Sequence, residues 1–420
     1  MLRRLQFLLF LAFLALPQSV SAADLVIDGV PLPPDAHVAA ATPGGAFERW
    51  KHVWVGLWGD SLKHILLVES VSADGAARVV YANGDDLRAG RRGRWRRLEG
   101  VVSGRTLSVT GEGFIVTYEM ADDGGLKARF ELGSITSNAA MTTADFASVT
   151  KTDAAIAWTR GSYESLQTDL IEDGKPVRLE TVIFRPQGAG PFPLAVINHG
   201  STGRGLNPEL VRATWFSSDL ANFLNDRGWI VAFPQRRGRG KSDGQYDEGW
   251  HRQLGYACAV EISLRGADRA LTDIEAAIAA LRRRADVAAA PVLIGGQSRG
   301  GVLSIAYAGQ HPDQVAGAIN FVGGWLGERC SAATAVNHSL FERGAAYPQP
   351  TLWLYGQHDN FYSMAHSRDN FAAFEKAGGR GKFFELEAPA GQGHFIFRRP
   401  DLWSGPVDSY LKSLAAPQGH

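Results

Sequence analysis

The segment Val292 to Gly309 places Gly296-Gln297-Ser298-Arg299-Gly300 between an apolar run and an apolar helix pattern. This is a G-x-S-x-G step. A sharp strand-to-helix turn lifts a serine hydroxyl clear of a sheet, and the close backbone approach requires glycine on both sides. Ser298 is therefore the candidate nucleophile. A serine hydroxyl is a poor nucleophile at neutral pH, so it needs a base, and the base needs an orienting carboxylate. Asp359 follows the apolar run Leu352 to Tyr355 in Gly356-Gln357-His358-Asp359, at the end of a predicted strand. Asp369 is the rival, but it falls inside the next predicted helix. For the base, His366, His394 and His420 lie downstream. His394 sits in the glycine-rich Gln392-Gly393-His394-Phe395 past the last predicted strand and is the expected base. His358 is expected as a pocket wall or a supporting group. The N–H of Arg299 is one expected oxyanion donor. The second is the N–H of Ser201, in Asn198-His199-Gly200-Ser201 after the run Leu194 to Ile197.

These groups must be positioned by a scaffold. From Ser162 onward, strand and helix patterns alternate. Ser165–Ile171 and Val177–Phe184 read as a hairpin about Asp173-Gly174. Strands are expected at Leu194–Ile197, Trp229–Phe233, Val292–Ile294, Ala318–Phe321, Leu352–Tyr355 and Phe383–Leu386. Helical spacing runs over Leu210–Leu224, through Leu271, Ile274, Ile278 and Leu281, over Val302–Ala308, and through Phe371 and Phe374. Alternation of this kind requires parallel crossovers, hence a doubly wound, mostly parallel sheet with its site at the carboxyl ends of the strands.

The first half differs. Short strands and tight turns from Asp24 to Leu132 predict a small antiparallel all-β domain, a sandwich or barrel. The expected division is 1–22 signal peptide, 23–135 β domain, 136–160 linker and 161–420 catalytic domain. Trp50, Trp54 and Trp58 recur every four residues; they either present a ligand-stacking face or pack the β core, and packing is the expectation. Arg88 to Arg97 holds six arginines, read as a solvated loop and strand edge.

The chain has 420 residues and a formal net charge of zero, which gives no support for nucleic acid or an anionic membrane as partner. The basic Met1–Arg4 start, the apolar Leu5–Leu16 run and Val20-Ser21-Ala22 predict a cleaved leader and export to the periplasm or medium, with no membrane insertion afterwards.

Together these residues resemble the α/β-hydrolase superfamily, in its dienelactone-hydrolase-like and prolyl-oligopeptidase-like branch. The resemblance covers Ser162 to Tyr410 and includes Pro234 to Ser242. Dienelactone hydrolases use cysteine as nucleophile; this chain has Ser298, so the lactone substrate is not carried over. The resemblance implies a Ser298–His394–Asp359 esterase acting on a small-molecule ester, without cofactor or metal. A peptidase and a non-catalytic binding protein are the alternatives. His199, Tyr246, Trp250 and Trp325 are expected at the substrate pocket, with Leu326. Arg236, Arg237 and Arg239 either clamp a substrate carboxylate or pair with local acids such as Asp243 or Asp268. Cys258 and Cys330, the two cysteines, both follow carboxyl ends of strands and are expected to pair across the pocket rim.

Overall fold

The computed structural model describes residues 25–38, 47–87, 89–133, 135–151 and 156–415. The expected leader and His420 lie outside them. A short hairpin comes first, β1 (Leu25–Ile27) and β2 (Val30–Leu32). Eight antiparallel strands then close into a barrel: β3 (Val53–Trp58), β4 (Leu62–Val71), β5 (Ala76–Asn83), β6 (Arg94–Ser103), β7 (Thr106–Gly111), β8 (Phe114–Met120), β9 (Leu126–Leu132) and β10 (Ile135–Ala144). Side chains alternate in and out with the period of two that a strand imposes. In β7, Leu107 and Val109 point inward while Ser108 and Thr110 face water. Trp50, Trp54 and Trp58 are buried in this core, so they pack rather than present a face. Arg97 does not stay on a solvated edge: its guanidinium grips the buried Glu69 carboxylate at 3.0 Å.

The expected linker is corrected here. Its first part, through Ala144, is β10, which pairs with both β9 and β3 and completes the barrel. After the one-turn helix α1 (Phe146–Val149) the second sheet begins. Its strands are β11 (Ser162–Glu172), β12 (Lys175–Phe184), β13 (Leu194–Asn198), β14 (Ile230–Pro234), β17 (Val292–Gln297), β18 (Val315–Phe321), β19 (Thr351–Gly356) and β20 (Gly381–Leu386). The lateral order is β11-β12-β14-β13-β17-β18-β19-β20. Neighbours run parallel from β14 onward, and β12 is antiparallel to both its partners. The two-stranded β15 (Trp250–His251) and β16 (Gly255–Tyr256) form a separate hairpin.

Helices α2 (Ser218–Asn225), α3 (Val260–Arg282), α4 (Arg299–Gln310), α5 (Ala333–Glu342), α6 (Met364–Lys376) and α7 (Pro400–Ala415) cover the sheet. On α3, Ala267, Ala270, Leu271, Ile274, Ala277, Ile278 and Leu281 are buried, a stripe at helical spacing facing the sheet. The helix expected over Leu210–Leu224 is shorter. Only α2 and a 3-10 turn at Pro208–Val211 form. The side chain of Gln235 accepts from Trp215 N at 2.8 Å and donates to Trp215 O at 2.8 Å, taking the backbone groups a helix would use. Ser217 then caps α2.

Barrel and sheet domain meet directly. Asp60, in the β3–β4 turn, accepts from the N–H of Ser218 at 3.0 Å, and Asn207 donates to Leu87 O at 3.1 Å.

Inside the barrel, His64 is fully buried. Tyr118 lies 2.9 Å from its Nε2, and Ala82 O lies 2.9 Å from its Nδ1. Burial pushes its pKa from 6.5 down to about 4. The unfolded chain accepts a proton below pH 6.5 and the native barrel refuses it. Stability present above pH 6.5 is therefore lost as pH falls toward 4, by about 3 kcal/mol across that window. Urea titrations of His64→Gln should show a flatter dependence on pH between 6.5 and 4 than the parent; parallel curves would contradict this.

Candidate active site

Ser298 sits between β17 and α4 with φ +56° and ψ −119°, a conformation L side chains rarely adopt. The neighbouring glycines are enforced by the sheet. A Cβ at Gly300 would lie 1.9 Å from Asn198 O, at the end of β13, and one at Gly296 would lie 2.4 Å from the Gly300 carbonyl. The turn is therefore wedged against the adjacent strand, and its serine is held in one orientation.

Asp359 and His394 come together from the loops after β19 and β20. Asp359 Oδ2 lies 2.8 Å from His394 Nδ1, with side chains only 1% and 7% exposed. The other oxygen, Oδ1, accepts from Phe361 N at 2.7 Å and Tyr362 N at 3.1 Å. A carboxylate can only accept, so Nδ1–H is the donor in this contact and Nε2 is the nitrogen left facing away from Asp359. The His394 ring is packed against Phe361 at 4.5 Å between centroids. Asp369 pairs instead with His338 at 2.9 Å. His366 bonds Asn337, whose side chain accepts from Trp325 N and Leu326 N. His358 is exposed in a positive-φ turn and forms no wall of the site's cavities.

Ser298 lies where two cavities meet. The first, about 230 Å³, is lined by Ser298, His394, Ser201 and Arg239, and by barrel residues Gly59–Leu62 and Asp85–Leu87. The second, about 450 Å³, is lined by Ser298, Ser201, Tyr256, Trp325 and Tyr362, and its rim carries the Cys258–Cys330 disulfide. Ser201 thus borders both. The N–H of Arg299 belongs to the first turn of α4, where no intrahelical acceptor exists.

Beneath the nucleophile turn lies a buried charge cluster. Glu248 is paired with Arg236 and with Arg299, the latter at 3.4 Å. Burial would raise its pKa, but the two guanidiniums outweigh burial and hold the carboxyl below its usual range. Tyr246 OH donates to Glu248 at 3.1 Å and meets Tyr256 OH at 2.7 Å, and Tyr256 OH accepts from Thr202 N at 3.0 Å. The chain of contacts connects the loop holding Ser201 to the residue following Ser298.

The expected pocket residues divide accordingly. Trp325 and Leu326 line the second cavity. His199, Tyr246 and Trp250 do not reach either cavity and stand one layer behind. His199 Nε2 accepts from Arg236 N at 3.1 Å, and burial, followed by the nearby Arg236 and Arg239, drives its pKa well down, so it is a neutral brace. Trp250 donates to Gly205 O at 2.8 Å. Arg236 and Arg237 are committed to protein carboxylates, the buried Glu248 for the first and the buried Asp273 and partly exposed Glu172 for the second. Of the three arginines only Arg239 borders a cavity. The barrel turns at Gly59–Leu62 and Asp85–Leu87 carried no sequence signal for a place beside Ser298, whereas Tyr362 stands only three residues past Asp359.

Residues 210–335, from just before α2 into α5 and including the Ser298 turn, match the family model Hydrolase_4, described as serine aminopeptidase, S33. That match lies within the mixed, mostly parallel sheet and its covering helices. A search of the curated proteins found no match. Among solved structures the hydrolase is similar to a predicted CIB-like hydrolase from Thermoplasma acidophilum, at 18% identity over 60% of this chain and 99% of that one, TM-score 0.39. It is also similar to Est1E from Butyrivibrio proteoclasticus, at 14% identity over 61% and 99%, TM-score 0.39. An esterase from Pyrococcus furiosus gives 14% identity over 60% and 92%, TM-score 0.43.

Glu248→Ala should leave two buried guanidiniums uncompensated and destabilise the hydrolase by about 3–5 kcal/mol. A urea midpoint equal to the parent's would show that the cluster does not support the site.

Proposed function

We propose that the protein is an exported serine esterase working through Ser298, His394 and Asp359. The observation that carries the reading is the shared cavity of Ser298 and His394, with the imidazole oriented by a buried carboxylate at 2.8 Å. Ser298 Oγ attacks the ester carbonyl carbon while His394 Nε2 takes its proton. The Asp359 carboxylate stabilises the resulting imidazolium. The carbonyl electron pair moves onto oxygen, which the N–H groups of Ser201 and Arg299 hold. As the tetrahedral species collapses, the carbon–alkoxy bond breaks and the imidazolium gives its proton to the departing alcohol. Water, deprotonated by His394, then cleaves the acyl-enzyme and regenerates Ser298.

Export is supported by the Cys258–Cys330 disulfide, since such bonds persist in oxidising compartments. The matched family's name brings a second reading, cleavage at a free peptide N-terminus. An aminopeptidase must hold an ammonium group on the acyl side of the nucleophile. The larger cavity beside Ser298 has no carboxylate among its lining residues, which favours esters.

Ser298→Ala should lower kcat/KM for p-nitrophenyl butyrate by at least about 10³-fold, with an unchanged unfolding midpoint. Asp359→Asn should lower it by roughly 10²–10⁴-fold, because the wrong tautomer is then favoured. Turnover retained by Ser298→Ala would reject the assignment. Cleavage of aminoacyl p-nitroanilides without turnover of esters would move the reading to a peptidase.

A further inference from the structure

The two cavities are chemically unequal, and the general acid decides which part of a substrate each one takes. His394 must protonate the departing alcohol, so the alcohol lies on the imidazole's side of Ser298. That side is the smaller cavity, which His394 lines. The larger cavity contains Ser298 and Ser201 but not His394, so it receives the acyl group. This assignment rests on the esterase reading above.

The acyl cavity has flat aromatic walls. The Arg299 guanidinium is stacked between Tyr256 and Trp325, 3.9 Å and 4.1 Å from the two ring centroids, and is neutralised by Glu248. Phe361 and Tyr362 form the opposite side. At the mouth stand Arg204 and Arg329, both exposed. Neither forms an ion pair among the described residues. The nearest acid to Arg329 in sequence, Glu328, accepts from Ser363 N at 2.8 Å and also feels the Arg329 charge, without forming an ion pair with it. Among the described residues no Asp or Glu lines the cavity. The Cys258–Cys330 bond joins the two segments of this rim and holds Arg329 beside it. An aromatic body against the walls would direct a substituent on its far end toward two guanidiniums that hold no ion pair among the described residues.

We propose that the acyl subsite selects aromatic acids bearing a second, anionic group opposite the ester, as in half-esters of aromatic dicarboxylic acids. Guanidinium–carboxylate pairing at the rim supplies the preference, since neither arginine is held in an ion pair.

The test uses the full chain and three p-nitrophenyl esters, of 4-carboxybenzoate, 4-methylbenzoate and 4-(trimethylammonio)benzoate, each corrected for spontaneous hydrolysis. The parent should favour the carboxylate ester over the methyl ester by at least about tenfold in kcat/KM, and added salt should shrink that ratio. The double variant Arg204→Glu/Arg329→Glu should reverse the order toward the trimethylammonio ester, an inversion that a merely structural role would not produce. Equal use of the three esters by the parent, or an order unaltered in the double variant, would overturn the proposal. An enzyme that a fluorophosphonate labels but that ignores all three esters would overturn the acyl subsite alone. Neither labelling nor turnover would overturn the esterase reading and the subsite with it.

Discussion

Backbone at the carboxyl end of β17 passes so close to the end of β13 that a methyl group at Gly300 would overlap Asn198 O, at 1.9 Å. Ser298, two residues earlier in the same turn, holds a positive φ. The contact also brings the start of the loop that leads to Ser201 alongside the first turn of α4. The buried Glu248, held by Arg236 and Arg299, secures the same junction from below. A strained serine persists only where its surroundings over-determine it, and here backbone and buried charge both do so.

The barrel belongs to the same account. Its β3–β4 turn is anchored to the start of α2 through Asp60, and its turns supply one wall of the smaller cavity. The smaller cavity is thereby shared between domains. The larger one is lined by the sheet domain alone, with a disulfide on its rim.

Much of this was legible in the sequence, for identifiable reasons. Gly296 to Gly300 is readable because glycine at both ends of one serine has a steric cause, and the flanking strand and helix patterns supply the context. Asp359 and His394 were found by position after predicted strands, and the structure places them in contact. What was missed depends on distant partners. Strand β10 reads as small polar residues, and only its pairing with β3 and β9 makes it a strand. The break before α2 comes from the side chain of Gln235, twenty residues away in sequence. Tyr246 and Trp250 were expected at the pocket, but their hydroxyl and indole bond Glu248 and Gly205 and neither residue lines a cavity beside Ser298. The roles of Arg236 and Arg237 could not be resolved without seeing which carboxylates were buried beside them.

The most direct test of the central claim is intact-mass and peptide mapping after exposure to a fluorophosphonate probe. A single adduct on the peptide containing Ser298, formed rapidly by the parent chain and at least about 10²-fold more slowly by His394→Ala, is the result this geometry requires. An adduct on another serine, or labelling of Ser298 at the same rate without the imidazole, would contradict it.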